Sequence, residues 1–103
     1  MTKFNKAIRD KIPEIIEESG KNCNVKKLTD SEFLVQLEKK LVEELSEYQE
    51  SKNAEELADI LEVIYRISEL KGITSNELDS IKNEKAKKRG KFDDNLFLVD
   101  SDK

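Results

Sequence analysis

The sequence predicts an all-α fold, a helical bundle built on an antiparallel helical hairpin and completed by oligomerisation. Three observations predict it. Apolar residues recur at helical spacing rather than in alternation. Pro13 is the only proline and there are only three glycines, which suits long helices joined by few turns. Two Thr-x-x-Glu patterns, Thr29 with Glu32 and Thr74 with Glu77, have the spacing of a capping box and each precedes a helical run.

The first predicted helix runs from about Asp10 to Ser19, with Ile8, Ile12, Ile15 and Ile16 inward and Gly20 as its stop. Pro13 is tolerated only in the first turn, so the residues before it are expected to be extended or irregular. The second helix opens at Thr29 and continues to about Glu50, with Leu34, Leu37, Leu41, Leu45 and Tyr48 as its apolar stripe. The third starts after Asn53 and ends near Gly72. Its apolar arc is wide (Leu57, Ala58, Ile60, Leu61, Val63, Ile64, Ile67, Leu70), which implies burial on more than one side. A lone hairpin cannot cover that arc, so a homodimer or higher homo-oligomer is expected. The fourth helix starts at Thr74 and stops at Gly90, with Leu78 and Ile81 as core and Lys85, Lys88 and Arg89 continuing the same stripe. Beyond it, Leu96-Phe97-Leu98-Val99 suggests a short extended segment to pair with Val25 to Leu28.

The 103 residues make one domain, 1–103, with 41% charged and 36% hydrophobic residues. A formal net charge of −4 argues against nucleic acid as a partner. The sign is uneven, acidic from Glu43 to Glu62 and basic from Lys82 to Lys91. No apolar run reaches membrane-spanning length, and the N-terminal residues lack a signal-peptide pattern, so no membrane partner is expected. A single cysteine, Cys23, suits a reducing cytoplasm, which is the expected location. With no histidine, His-based triads, His–zinc sites and carboxylate–histidine di-iron sites are excluded. Metal chemistry would have to use oxygen ligands, favouring magnesium or manganese.

Two acid-x-x-acid pairs stand out, Glu44 with Glu47 and Glu56 with Asp59. Residues three apart share a helix face. In so acidic a chain roughly five such pairs arise by chance, so spacing alone decides little. Their placement adds more. Glu47 and Glu56 are equidistant from the Ser51–Lys52 junction, and so are Glu44 and Asp59. In an antiparallel hairpin they form two facing rungs. Glu56 falls within the apolar arc between Ile60, Val63 and Ile67, and Glu44 borders the stripe of Leu37, Leu41 and Tyr48. Glu43, Glu55, Glu62 and Glu69 point outward as ordinary solvated charge. Inward carboxylates need a cation, and four converging ones suit a divalent ion. The ordinary alternative is pairing with Lys85, Lys88 or Arg89. Tyr48 and Tyr65 are expected to pack rather than stack on a base, and Cys23 to be incidental.

At these residues the chain resembles the MazG-like, all-α nucleotide pyrophosphohydrolase superfamily, nearest its short branch related to phosphoribosyl-ATP pyrophosphohydrolase. The resemblance rests on Glu-Glu-x-x-Glu at Glu43, Glu44 and Glu47, then Glu-x-x-Asp at Glu56 and Asp59. It extends to Phe4 through Pro13, Leu57 through Ile64, and Lys87 through Phe92. The spacer between Glu47 and Glu56 is shorter than usual for the superfamily. The resemblance implies cleavage of a small-molecule nucleotide between its α- and β-phosphates. Glu44, Glu47, Glu56 and Asp59 would hold Mg2+ (Mn2+ possible), and Glu44 or Glu47 would orient the attacking water. Arg9, Lys11, Lys85, Lys88 and Arg89 would contact phosphate. Two rival expectations remain, a non-enzymatic helical dimerisation module and a degenerate homologue that binds nucleotide without hydrolysis.

Overall fold

The computed structural model describes residues 2–102. They form four helices, α1 (Ile12–Glu18), α2 (Asp30–Ser51), α3 (Ala54–Leu70) and α4 (Ser75–Arg89), with no strand among them. Pro13 sits at the very start of α1, where its missing N–H removes no helical bond. Residues before α1 are irregular, as Pro13 requires, and Gly20 follows the helix at φ +85°. The inward side expected for α1 is only partly covered. Ile8, Ile12 and Ile16 are half-buried, but Ile15 is 54% exposed and α1 packs on no other helix.

Both capping boxes are formed. The Thr29 hydroxyl accepts from the Glu32 N–H at 3.2 Å while the Glu32 carboxylate accepts from the Thr29 N–H at 3.0 Å. Thr74 and Glu77 repeat the exchange at 3.1 and 3.3 Å. Each box satisfies backbone donors that the first helical turn leaves free. The Thr29 bonds also hold the Glu32 carboxyl below its usual range. Asn53 precedes α3 in extended conformation but makes no side-chain cap bond.

Only Lys52 and Asn53 separate α2 from α3, and the two helices pack against each other. The turn is closed by the Lys52 N–H donating to the Tyr48 carbonyl at 2.8 Å, with Lys52 at φ +60°. Between α3 and α4, Ser68 is buried and its hydroxyl donates to the Ile73 carbonyl at 2.8 Å. The Ile73 N–H returns a bond to the Ser68 carbonyl at 2.9 Å. This clip lets α4 pack on α3, and α4 meets no other helix.

Little is buried. Among the described residues the buried apolar side chains are Ala7 and Leu37. Leu45 and Ile81, expected in the core, are 48% and 50% exposed. The expected pairing of Leu96–Val99 with Val25–Leu28 does not form; no strand is present among the described residues, and Leu96, Phe97, Leu98 and Val99 remain largely exposed. A four-residue apolar run signals a strand only if a sheet edge is available, and the described residues offer none. The molecule measures 58 × 32 × 24 Å with a radius of gyration of 17.9 Å. A compact chain of this length has a radius near 13 Å.

Candidate metal centre

The packing of α2 on α3 brings acidic side chains from both helices together. Ligand-capable oxygens of Glu44, Glu56 and Asp59 lie within 4.8 Å of one another, and so do those of Glu43, Glu44 and Glu47. Glu44 belongs to both groups and is 5% exposed. Leu37, two turns earlier on α2, is buried to a similar degree, so the apolar stripe of α2 carries Glu44 inward with it. Glu56 and Asp59 are half-buried on α3, and Glu47 is exposed. Thus Glu44, Glu56 and Asp59 converge directly. Glu47 reaches them through Glu44.

Glu44 is the decisive side chain. Its Oε1 is 3.2 Å from the Lys40 ammonium, one helical turn earlier, while its Oε2 is buried with no hydrogen-bond partner. Burial pushes the Glu44 carboxyl above its ordinary value; Lys40 pulls the other way, and Glu47 and Asp59 add to the rise. Glu56 is raised too, by desolvation first and then by Glu47, Asp59 and Glu44. Both shifts have the same leading cause, the removal of water from the carboxylate, and repulsion among the neighbouring acids adds to it.

Cations do reach the cluster. Burial opposes the Lys40 charge, yet the hydrogen bonds and attraction of Glu44 and Glu43 outweigh it and raise the Lys40 pKa. Lys40 also lies 3.5 Å from Glu43, whose other partner is Lys6 at 2.9 Å. The Lys6 bond, strengthened by Lys40, holds Glu43 below the usual range despite desolvation. Arg9 donates to Asp59 Oδ1 at 2.7 Å and reaches Glu62 at 3.8 Å. Residues 6–9 therefore span from α2 to α3, and Ala7 between the two cations is buried.

No family model, no curated protein and no solved structure matches this chain. The site must be read from its own chemistry.

Of the basic residues expected at phosphate, Arg9 is placed on the cluster through Asp59. Lys11 is exposed just before α1. Lys85, Lys88 and Arg89 line a shallow groove on α4 with Ser80, Ile81 and Glu84. Among the described residues no ion pair ties α4 to α2 or α3, so the alternative pairing of the acids with these three is not formed. The cluster instead takes its cations from Lys6, Arg9 and Lys40. Glu43, expected to be plain solvated charge, is a member of the cluster. So is Lys40, which its spacing of three and four residues before Glu43 and Glu44 signals in the sequence. Lys6 carries no such signal, because an irregular segment has no periodicity to read. Tyr48 and Tyr65 are half-buried, and the Lys52 ammonium sits 5.7 Å from the Tyr48 ring centre. Cys23 is half-buried, with its sulfur 4.0 Å from the Pro13 carbonyl.

Proposed function

We propose that this chain is a magnesium-dependent nucleotide pyrophosphohydrolase of the MazG-like type, cleaving the α–β bond of a nucleoside triphosphate or related nucleotide to monophosphate and pyrophosphate. The observation that carries the reading is Glu44, whose Oε2 is buried without a partner and whose carboxylate is grouped with those of Glu56 and Asp59 within 4.8 Å. A buried carboxylate oxygen without a donor is costly, and a divalent cation is the partner that several converging carboxylates have in common. The donor set is entirely oxygen, which suits Mg2+ or Mn2+. The architecture in this reading is an antiparallel hairpin of α2 and α3, supported by their two-residue connection and by the meeting of Glu44 with Asp59 across it.

Glu44, Glu56 and Asp59 would hold the ion, with Glu47 completing the set from the exposed side. A divalent ion held there would supply neutralisation of phosphate charge and activation of a water for attack. Glu47, the most exposed of the four, would orient that water or take its proton, with Glu44 as the other candidate. Arg9 lies at the rim with its guanidinium on Asp59, free to exchange that partner for a phosphate oxygen. Lys11, Lys85, Lys88 and Arg89 remain candidates for the polyphosphate. Among the described residues none of these four forms an ion pair with a cluster acid. A homodimer or higher homo-oligomer is part of the same reading, supported by the apolar residues left exposed on α2, α3 and the C-terminal segment.

The test is pyrophosphate release from a panel of nucleoside triphosphates with Mg2+, wild type beside Glu56→Gln. The reading expects release by wild type and a loss of at least a hundredfold in the variant. Equal rates in the two proteins, or no release with any nucleotide, would reject it.

A second reading is favoured by one observation. Lys40, Lys6 and Arg9 already pair with cluster acids, as a non-enzymatic helical interaction module would require. That reading expects Mg2+ to leave stability unchanged. A degenerate, nucleotide-binding homologue would bind Mg2+ and nucleotide at equilibrium without releasing pyrophosphate over hours.

A further inference from the structure

Among the described residues Lys40 is the one lysine that is not exposed, with its side chain 17% accessible. Lysine seldom gives up water unless it is paired. The Lys40 ammonium lies 3.2 Å from Glu44 Oε1 and 3.5 Å from Glu43 Oε1. Helix strength does not account for this pairing. A lysine four residues before a glutamate is the weaker order of an i, i+4 pair. A pair left on the surface would serve the helix as well, without the cost of desolvating both charges.

The ammonium is also fixed from outside α2. Glu43 Oε1 accepts from Lys6 at 2.9 Å, and Lys6 belongs to the irregular segment ahead of α1. Glu43 Oε1 is therefore committed to two ammonium groups and anchors one of them beside Glu44. Glu44 has one oxygen on Lys40 and one, the buried Oε2, without a partner. An ion shared by Glu44, Glu56 and Asp59 is offered a single free oxygen by Glu44.

That restriction separates two ions of equal charge. Ca2+ takes about six to eight oxygens at roughly 2.3–2.6 Å and accepts both oxygens of one carboxylate. Mg2+ is smaller, requires near-octahedral geometry at about 2.0–2.1 Å and keeps several waters. One oxygen from each carboxylate suits Mg2+ and leaves Ca2+ short of ligands.

We propose that Lys40 is the specificity-determining residue of this metal centre. By occupying Glu44 Oε1 it makes Glu44 a one-oxygen ligand and sets the site for Mg2+ over Ca2+. The proposal rests on the reading of Glu44, Glu56 and Asp59 as metal ligands, and not on the hydrolytic step.

Isothermal titration of MgCl2 and of CaCl2 into the full chain without nucleotide tests this, with Lys40→Met and Lys40→Arg beside wild type. Loss of the ammonium changes the attraction for both dications in the same sense, so the ratio of their Kd values isolates the oxygen it releases. Wild type should bind Mg2+ at least as tightly as Ca2+. Lys40→Met, with its helical circular dichroism retained, should shift the ratio towards Ca2+ by roughly tenfold or more, the scale on which partners of metal ligands act. Lys40→Arg keeps a cation on Glu44 and should keep the wild-type preference. A Lys40→Met chain that loses or gains affinity for both ions equally overturns the proposal and leaves the metal centre standing. A wild type that prefers Ca2+ also overturns it, and that measurement needs no variant to fold. Failure of wild type to bind either ion overturns the metal reading together with the proposal. Pyrophosphate release is not read in any of these titrations, so the hydrolytic reading fails or stands separately.

Discussion

Replacing Glu44 by glutamine should stabilise the metal-free protein and abolish its response to magnesium. The substitution keeps the side-chain shape and removes one charge from a residue that is 5% exposed. The glutamine carbonyl can still accept from Lys40, 3.2 Å away in the parent, and Lys40 retains Glu43 at 3.5 Å. Its amide replaces the orphaned Oε2 with a donor in a site where oxygens of Glu56 and Asp59 lie within 4.8 Å of a Glu44 oxygen, so a small side-chain adjustment brings an acceptor into reach. Leaving a buried polar atom unsatisfied costs about 1–3 kcal/mol, more when it is charged. Recovering even 1 kcal/mol raises the Tm of a domain this size by about 4–8 °C. Magnesium reverses the order. At a hundred times its Kd, a ligand specific for the folded state adds about 2.7 kcal/mol, roughly 10–20 °C in Tm. The wild type should gain that shift and Glu44→Gln almost none of it. The assay is thermal melting at fixed protein concentration, with EDTA or millimolar MgCl2. Equal magnesium shifts in both proteins, or a variant less stable than wild type in EDTA, would refute the reasoning.

In metal-free buffer the melting temperature should rise as pH falls through the raised folded-state values of Glu44 and Glu56 towards 4.5. Glu44 and Glu56 have raised folded-state values, so their contribution is favourable when protonated and is lost as pH climbs from 4.5 through those values. Below 4.5 the trend should turn over. Glu43 and Glu32 are lowered, so their stabilisation fades as pH falls through their folded-state values. With magnesium present the upper limb should invert, because protons then compete with the metal. Thr29→Ala and Thr74→Ala should each cost about 1 kcal/mol and lower Tm by about 4–8 °C, seen by circular dichroism. Arg9→Met should tighten Mg2+ binding a few-fold in isothermal titration by freeing Asp59, while raising the KM for nucleotide if Arg9 also serves phosphate.

The helices were legible because their signals are local. Thr29 with Glu32 and Thr74 with Glu77 mark two starts, and both boxes form as the spacing predicts. The acidic pairs were legible because a short connection fixes which positions on α2 and α3 share a level, and Glu44 does meet Glu56 and Asp59. Lys6 and Arg9 lie on an irregular segment whose docking depends on tertiary packing, so their places on Glu43 and Asp59 were not readable from spacing. Leu45 and Ile81 fit an apolar periodicity, yet periodicity reports only that a side chain prefers burial and says nothing of what buries it. The apolar run Leu96–Val99 fails for the same reason.

The charge count within the cluster bears directly on the choice between enzyme and interaction module. Glu43, Glu44, Glu47, Glu56 and Asp59 are five carboxylates, and Lys6, Lys40 and Arg9 are the three cations within reach of them. At least two negative charges are left over, since Arg9 also reaches Glu62 at 3.8 Å, and a divalent ion carries charge enough to match two. The cations are also unevenly placed. Lys6 and Lys40 meet on Glu43, Arg9 holds Asp59 from the rim, and Glu44 Oε2 and Glu56 remain without a cationic partner. A module whose acids served only to hold helices together would gain by neutralising the most buried carboxylate first, since charge costs most there. This chain leaves that carboxylate half-satisfied and spends a cation on the more exposed Glu43. Such an arrangement is unfavourable for stability alone and favourable for receiving a cation from solution. Removing the surplus by Glu56→Gln should therefore abolish the magnesium-dependent rise in Tm while leaving the helices intact, and a variant that still gains several degrees would place the ion, or its absence, elsewhere.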